Sequence, residues 1–245
     1  MKQSPDVDRP SSRRGLVLAL VVSLVIGNLV PFGGLLLYPF TLMATWVHEM
    51  GHGLTALLMG GSFEKLEIFW NASGLAHAFA AESRHGFVSV GGLLAPPLVG
   101  AAVLALSRGP RRARIVLAVL AAAMVVSLVV WVRTVVGWIS LPVVAALLGA
   151  FVRWASPREL LFLAQFIGLR LAFDTVTRID YVFTDRVVVD GAERLSDIAT
   201  VANDWGGPRF LWSLVIAAIS FLLVAAGLYS AWHEPRPAQL KPKRR

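Results

Sequence analysis

The chain has 245 residues, of which 56% are hydrophobic and 16% charged, and its mean hydropathy is +0.68. Soluble domains average about 45–50% apolar and about 25% charged, so this composition points to a bilayer and leaves no length for a large soluble domain. The absence of cysteine excludes disulfides, thiolate metal sites and cysteine nucleophiles.

The net charge of +8 comes from 23 Lys+Arg against 15 Asp+Glu. The basic residues stand at the ends of apolar stretches and in the tails, as in the cytoplasmic loops of a membrane protein. No nucleic-acid partner is expected. Residues 1–14 form a polar tail without a small-residue cleavage site, which predicts an uncleaved anchor. Residues 15–232 read as one membrane domain. Residues 233–245 read as a basic, proline-rich tail.

In chain order, Gly15–Tyr38 is the first apolar stretch, interrupted by Asn28, Pro31, Gly33 and Gly34. The second runs from Phe40 to Met59. Residues 62–85 change character: "KLEIFW" and "LAHAFA" are short and partly alternating, and "NASG" between them is turn chemistry, so a β-hairpin is predicted. Residues 87–107 are apolar but broken by "GGLLAPP". The basic loop "SRGPRRAR" follows, then apolar stretches over 115–132, 135–152 and 159–178. Residues 179–207 are polar and acidic, and Phe210–Trp232 is the last apolar stretch. The fold class expected is an all-α polytopic membrane protein, with six to seven transmembrane helices and a small β-hairpin after the second helix. No internal repeat is visible.

Seven crossings would put the two basic tails on opposite faces. Six crossings put both tails, the Arg108–Arg114 loop and Arg153/Arg158 on the cytoplasmic side and the acidic loop outside. Six crossings require one segment to enter and leave on the same face. Either residues 61–107 or Gly15–Tyr38 satisfies the charges.

Within the second stretch, His48-Glu49-Met50-Gly51-His52 is an H-E-x-x-H pentad. On a helix, positions i and i+4 share a face, so both imidazoles can reach one metal ion. Glu49 is placed to hold and deprotonate a metal-bound water while the metal polarises a scissile carbonyl. Zn2+ suits two neutral imidazoles, one carboxylate and an open position. Three costly polar side chains within five residues of an apolar run outweigh the bland reading of histidines satisfied by carbonyls in a bundle.

For the third ligand, Asp174 in "RLAFDTVTRI" is the first choice. It is the only acidic residue well inside an apolar stretch after residue 159, about 22 Å along a helix counted from Glu159. Its structural alternative is pairing with Arg170 or Arg178, one turn away on either side. Asp180 is second, and Asp190, in an Asp-Gly turn, third. His77 and His85 read as surface or cavity-lining groups, and His233 as interfacial. Ser196-Asp197 reads as a helix N-cap with a purely structural role.

These motifs together resemble the site-2-protease family of intramembrane zinc metalloproteases, in its compact peptidase branch without a PDZ domain. The resemblance is carried by "HEMGHGLTALLMGG", the β-rich 62–85 segment, "GGLLAPPLVG" and the late "FDTVTRID…LSDIATVA…GGPRFLW" region, over roughly residues 40–225. It implies zinc-dependent cleavage of a transmembrane segment, with His48 and His52 as ligands, Glu49 as base and an Asp on a late helix as third ligand. Asp174 is followed here by Thr175, where the well-characterised branch has glycine. The expected partners are a membrane-embedded protein substrate and the lipid bilayer, in a multi-pass protein of the cell membrane, in character that of a bacterial plasma membrane. Two other functions fit the same residues: an inactive family member that binds membrane proteins as a scaffold, and a small ion-coupled transporter, for which no repeat is seen.

Overall fold

The computed structural model describes residues 12–174, 184–189 and 191–233. The chain is mostly helical. Helix α1 spans Ser12–Asn28 and α2 spans Gly33–Leu58. A hairpin follows, β1 Ser62–Ile68 and β2 Gly74–Phe79, then a short 3-10 turn and α3, His85–Leu106. Helices α4 (Pro110–Val130), α5 (Val135–Trp154) and α6 (Pro157–Ala172) come next. A small second hairpin, β3 Arg186–Val189 and β4 Ala192–Leu195, precedes the short helix α7, Asp197–Trp205, and the last helix α8, Arg209–Trp232. Four helical stretches among the described residues are long and apolar enough to cross a membrane: 82–106, 110–130, 135–154 and 209–232. Their exposed faces are apolar, with Val119, Val129, Val143, Leu147, Phe221 and Leu222 uncovered. Such a surface belongs in lipid rather than water.

The first apolar stretch is not one element. The chain turns over residues 29–32, with Phe32 at φ 59°, so α2 begins at Gly33 rather than at Phe40. The 87–107 stretch, by contrast, is unbroken: Pro96 and Pro97 lie inside α3. Residues 82–106 thus form one unbroken helical stretch, long and apolar enough to cross a membrane, rather than a broken segment. Proline inside a membrane helix is tolerated where neighbouring helices satisfy the backbone it frees, and both prolines are buried.

Side-chain contacts fix the helix directions. Gly51 packs on Gly91 and Ala95, and Thr55 on Gly91, so α2 and α3 run antiparallel and close. Gly168 meets Leu104 and Ala172 meets Gly100, so α6 is also antiparallel to α3. Gly86 meets Trp205, just before α8, and Ala101 meets Gly227, so α8 runs parallel to α3. The bundle thus has two ends. One gathers the end of α2, the start of α3, α7 and the start of α8, and is here termed the hairpin end. The other, the tail end, gathers the start of α2, the end of α3 and the end of α8. Helix α1 belongs to the tail end at both of its termini: Arg13 Nε donates to the Trp232 carbonyl at 3.0 Å, and its last turn leads directly into α2.

The β-hairpin folds back along α2. Its register pairs Ser62 with Phe79, Leu66 with Ala76 and Ile68 with Gly74, with an irregularity between Phe63 and Lys65. The inner face is sealed by Leu66 and Ile68, both fully buried. Tyr38 OH donates to the Trp70 carbonyl at 2.8 Å, and Thr45 Oγ1 to the Ala72 carbonyl at 2.6 Å, which pins the turn to α2. The outer edge of β1 is occupied: Leu66 N donates to Trp131 O at 2.8 Å and accepts at its carbonyl from Arg133 N at 3.0 Å. The α4–α5 connection closes that edge, which leaves β2 as the hairpin's other edge.

Candidate active site

Helix α2 carries His48, Glu49 and His52 in its C-terminal half, toward the hairpin end. The i, i+4 spacing puts the two imidazoles on one face, with Nε2 atoms 3.1 Å apart. Space for the second ring comes from α3. A Cβ on Gly92 would lie 2.2 Å from His52 Cε1 and 2.3 Å from Nε2. With no Cβ there, the ring settles against α3, and its Nδ1 lies 3.0 Å from the Val88 carbonyl. A carbonyl only accepts, so Nδ1–H donates, and Nε2 is the nitrogen turned toward His48 and Asp197. This is the usual means by which a protein fixes the tautomer of a metal-ligating histidine.

The carboxylate facing these rings is Asp197. Its Oδ2 is 3.2 Å from His48 Nε2 and 3.4 Å from His52 Nε2. Among the described residues, His48, His52 and Asp197 form the one group of three with ligand atoms within 4.8 Å of one another. Asp174, the first choice from sequence, is not part of it: it follows the end of α6, whereas the helix that brings a carboxylate to the histidines is α7. Asp180 and Asp190 lie outside the described residues. His77, His85 and His233 stand elsewhere, bonded to Glu67, to the Ala80 carbonyl and to the Tyr229 carbonyl.

Asp197 is positioned by local rules visible in its flanks. Ser196 caps α7, its Oγ accepting from Ala199 N at 3.2 Å, so the N-cap expectation holds for the serine. Asp197 is then the first helical residue. Ile198, Ala199, Val201 and Ala202 are buried, with Ile198 packing beside Leu93 and Ile216. The far end of α7 is held by Asp204, which accepts from Gly86 N at 2.8 Å, and by Trp205 packed edge-on against Phe87 and Trp212. Sequence reading gave Ser196-Asp197 a capping role alone, whereas the structure also brings Asp197 to the two histidines. The local signal, Ser-Asp before an amphipathic helix, is the same whether the aspartate faces solvent or a metal.

Do these residues fit a metal? Two ligands bound at about 2.0–2.1 Å in tetrahedral geometry lie about 3.3 Å apart. The three separations here, 3.1, 3.2 and 3.4 Å, bracket that value. The donors are two imidazoles and a carboxylate, a common set for a catalytic zinc with one open position. All three side chains are partly exposed, so the position they surround is reachable.

Glu49 lies beside this group, only 6% exposed. Its Oε2 accepts from Ala76 N, in β2, at 2.8 Å. Its side chain lies flat on Gly74, where a Cβ would sit 2.6 Å from Glu49 Cγ. On the outer face of the hairpin, Glu67 bonds Lys65 at 3.0 Å and His77 at 2.6 Å. Partial burial pushes the Glu67 carboxyl up, but the bonds from Lys65 and His77 outweigh it and hold the group below its ordinary value.

The fold is that of a helical membrane protein, and its carboxylate–histidine cluster is compatible with a metallopeptidase centre. The chain belongs to the Peptidase M50B-like family, whose model matches residues 15–227 and which is part of the site-2-protease family of zinc metalloproteases. No match is found among curated proteins or among solved structures.

Proposed function

We propose that this protein is a zinc-dependent intramembrane endopeptidase that cleaves a transmembrane segment of a membrane protein. The carrying observation is the spacing of His48 Nε2, His52 Nε2 and Asp197 Oδ2, with Glu49 alongside. His48, His52 and Asp197 would hold the ion, which would supply positive charge to polarise the scissile carbonyl and acidify the attacking water. Glu49 takes the proton of that water at its carboxylate and returns it to the leaving amide nitrogen. A scaffold would need no third ligand, and the Asp197 carboxylate, with Oδ2 3.2 and 3.4 Å from the two imidazole Nε2 atoms, favours the enzyme reading.

A helical substrate has its amides bonded internally, so it must unwind before cleavage. The exposed donors and acceptors can then be taken up by strand addition. Of the hairpin's two strands, "KLEIFW" is closed by Trp131 and Arg133, and "LAHAFA" offers the edge nearest Glu49.

For the membrane path, six crossings by α2, α3, α4, α5, α6 and α8 fit the helix directions, with α1 as the segment that enters and leaves on one face. Among the described residues, the tail end carries eight arginines from Arg13 to Arg158 against Glu159 alone. The first loop of the hairpin end mixes Glu64, Lys65, Glu67, Glu82 and Arg84. The positive-inside rule places the tail end in the cytoplasm. The catalytic half then faces the opposite side.

The test is zinc content per purified chain together with cleavage of a single-span substrate. Wild type and Glu49→Gln should hold one zinc, and His52→Ala and Asp197→Ala none, with cleavage in wild type alone. A wild type that holds no zinc, under conditions where a control zinc enzyme keeps its metal, overturns the proposal.

A further inference from the structure

The Ala76 N–H has two claimants. In the antiparallel pair of β1 and β2, Leu66 opposes Ala76. The polar groups of Leu66 are directed away from β2, to Trp131 and Arg133. Directly opposed residues either exchange both bonds or neither. Ala76 therefore presents its N–H and C=O outward, on the edge beside the active site. The acceptor found there is the Glu49 carboxylate, at 2.8 Å. Three further features hold it in place. Gly74 leaves room for the Glu49 methylenes, a Cβ there falling 2.6–2.8 Å from Glu49 and Thr45 atoms. Thr45, one turn before Glu49 on α2, bonds the turn carbonyl of Ala72. Burial of Glu49 removes water as a competing partner.

A substrate strand added to this edge needs the same N–H for one of its own carbonyls. We propose that the Ala76 N–H is a docking point shared by the catalytic base and the substrate, so that pairing of the substrate with β2 is the event that releases Glu49. This rests on the peptidase reading of the site. The exchange is a swap of acceptors. The Ala76 N–H···Oε2 bond breaks, an Ala76 N–H···O=C bond to substrate forms, and the freed carboxylate oxygen turns to the water it must deprotonate. The swap is uphill for one bond alone, because a carboxylate is a stronger acceptor than an amide carbonyl. It becomes favourable when the substrate also pairs with the Ala76 carbonyl and its neighbours along β2. The device thus selects segments that have come out of the helix over several residues. Short peptides and intact helices leave the base held.

The test is peptide binding to protein stripped of divalent ions, which involves no turnover. The probe is a fluorescent Leu/Ala peptide of about 20 residues, one span long, with a central Gly-Gly. Its all-helical parent without the glycines is the control. Anisotropy titrations compare wild type, Glu49→Gln and Glu49→Ala, in which the acceptor facing Ala76 is charged, neutral and absent. Affinity for the Gly-Gly probe should rise in that order, with Glu49→Ala about tenfold tighter than wild type, the size of one hydrogen bond to a charged group. The helical control should bind all three equally. Equal affinities for the Gly-Gly probe, or an order reversed, overturn the shared docking point. Zinc content of unstripped samples decides the peptidase reading separately, so the two can fail independently.

Discussion

Replacement of Gly92 by alanine separates the metal centre from the fold. The added Cβ would lie 2.2 Å from His52 Cε1, 2.3 Å from Nε2 and 2.6 Å from Nδ1. Carbon contacts are comfortable at about 3.5–4.0 Å, so the ring must retreat by more than about 1 Å. The ring can do so, because it is the free end of a side chain on a neighbouring helix. Folding therefore pays little, and alanine is worth about 0.5–1 kcal/mol over glycine inside a helix. The centre has no such latitude, since metal–ligand distances are held within about 0.2 Å. Movement of the ring also breaks the Nδ1–H bond to Val88, an outer-shell contact of a kind whose loss costs about 10–100-fold in metal affinity. Zinc affinity by chelator competition should fall at least that far in Gly92→Ala. The melting temperature of the metal-free variant should match or exceed that of metal-free wild type. Unchanged zinc affinity would refute the packing argument, and a large fall in metal-free stability would show that Gly92 serves the fold instead.

Other substitutions address the remaining inferences. Asp197→Asn should lose zinc and cleavage, while Asp174→Asn keeps its zinc; the reverse pattern by metal analysis would give the third-ligand role to Asp174. Because the chain has no cysteine, single cysteines report sidedness cleanly. Ser83→Cys at the hairpin end should react with an impermeant maleimide on intact cells, and Arg111→Cys at the tail end only after permeabilisation; the opposite result inverts the proposed orientation. Glu67→Gln should lower stability by under about 1 kcal/mol at neutral pH. The folded Glu67 carboxyl is held low, so its contribution is full above the unfolded value and fades as pH falls through the folded one. The difference between variant and wild type in thermal melts should therefore shrink in acid.

How far the sequence spoke depended on the range of the interaction. The pentad and the hairpin were legible because their periods, i to i+4 and two, are local: residues 62–85 contain β1, β2 and the turn at the expected "NASG". The break between α1 and α2 was blurred because apolar residues lie on all sides of both helices, so no change of face marks the turn. The "GGLLAPP" segment misled in the other direction. Its two prolines signal interruption in water, but in α3 they are buried among helices that tolerate them. Asp197 was hidden for a third reason. Acids inside apolar stretches stand out as ligand candidates, whereas this one sits at the mouth of a short helix in an acidic loop. Its proximity to His48 follows from how α7 packs against Leu93 and Ile216, which is tertiary information.

A third ligand on α7 would have a consequence for assembly. A metal ion joined to residues 52 and 197 closes a covalent loop of about 145 residues, and the entropy of such closure is withdrawn from the unfolded chain as a cross-link would withdraw it. Ligation by two neighbouring histidines alone would tie only one turn of helix. The late carboxylate would make the ion a staple between the first and last thirds of the polypeptide, so the centre would be completed only after α7 has docked. Metal uptake would then mark the end of folding, and a chelator would lower the melting temperature of the folded chain.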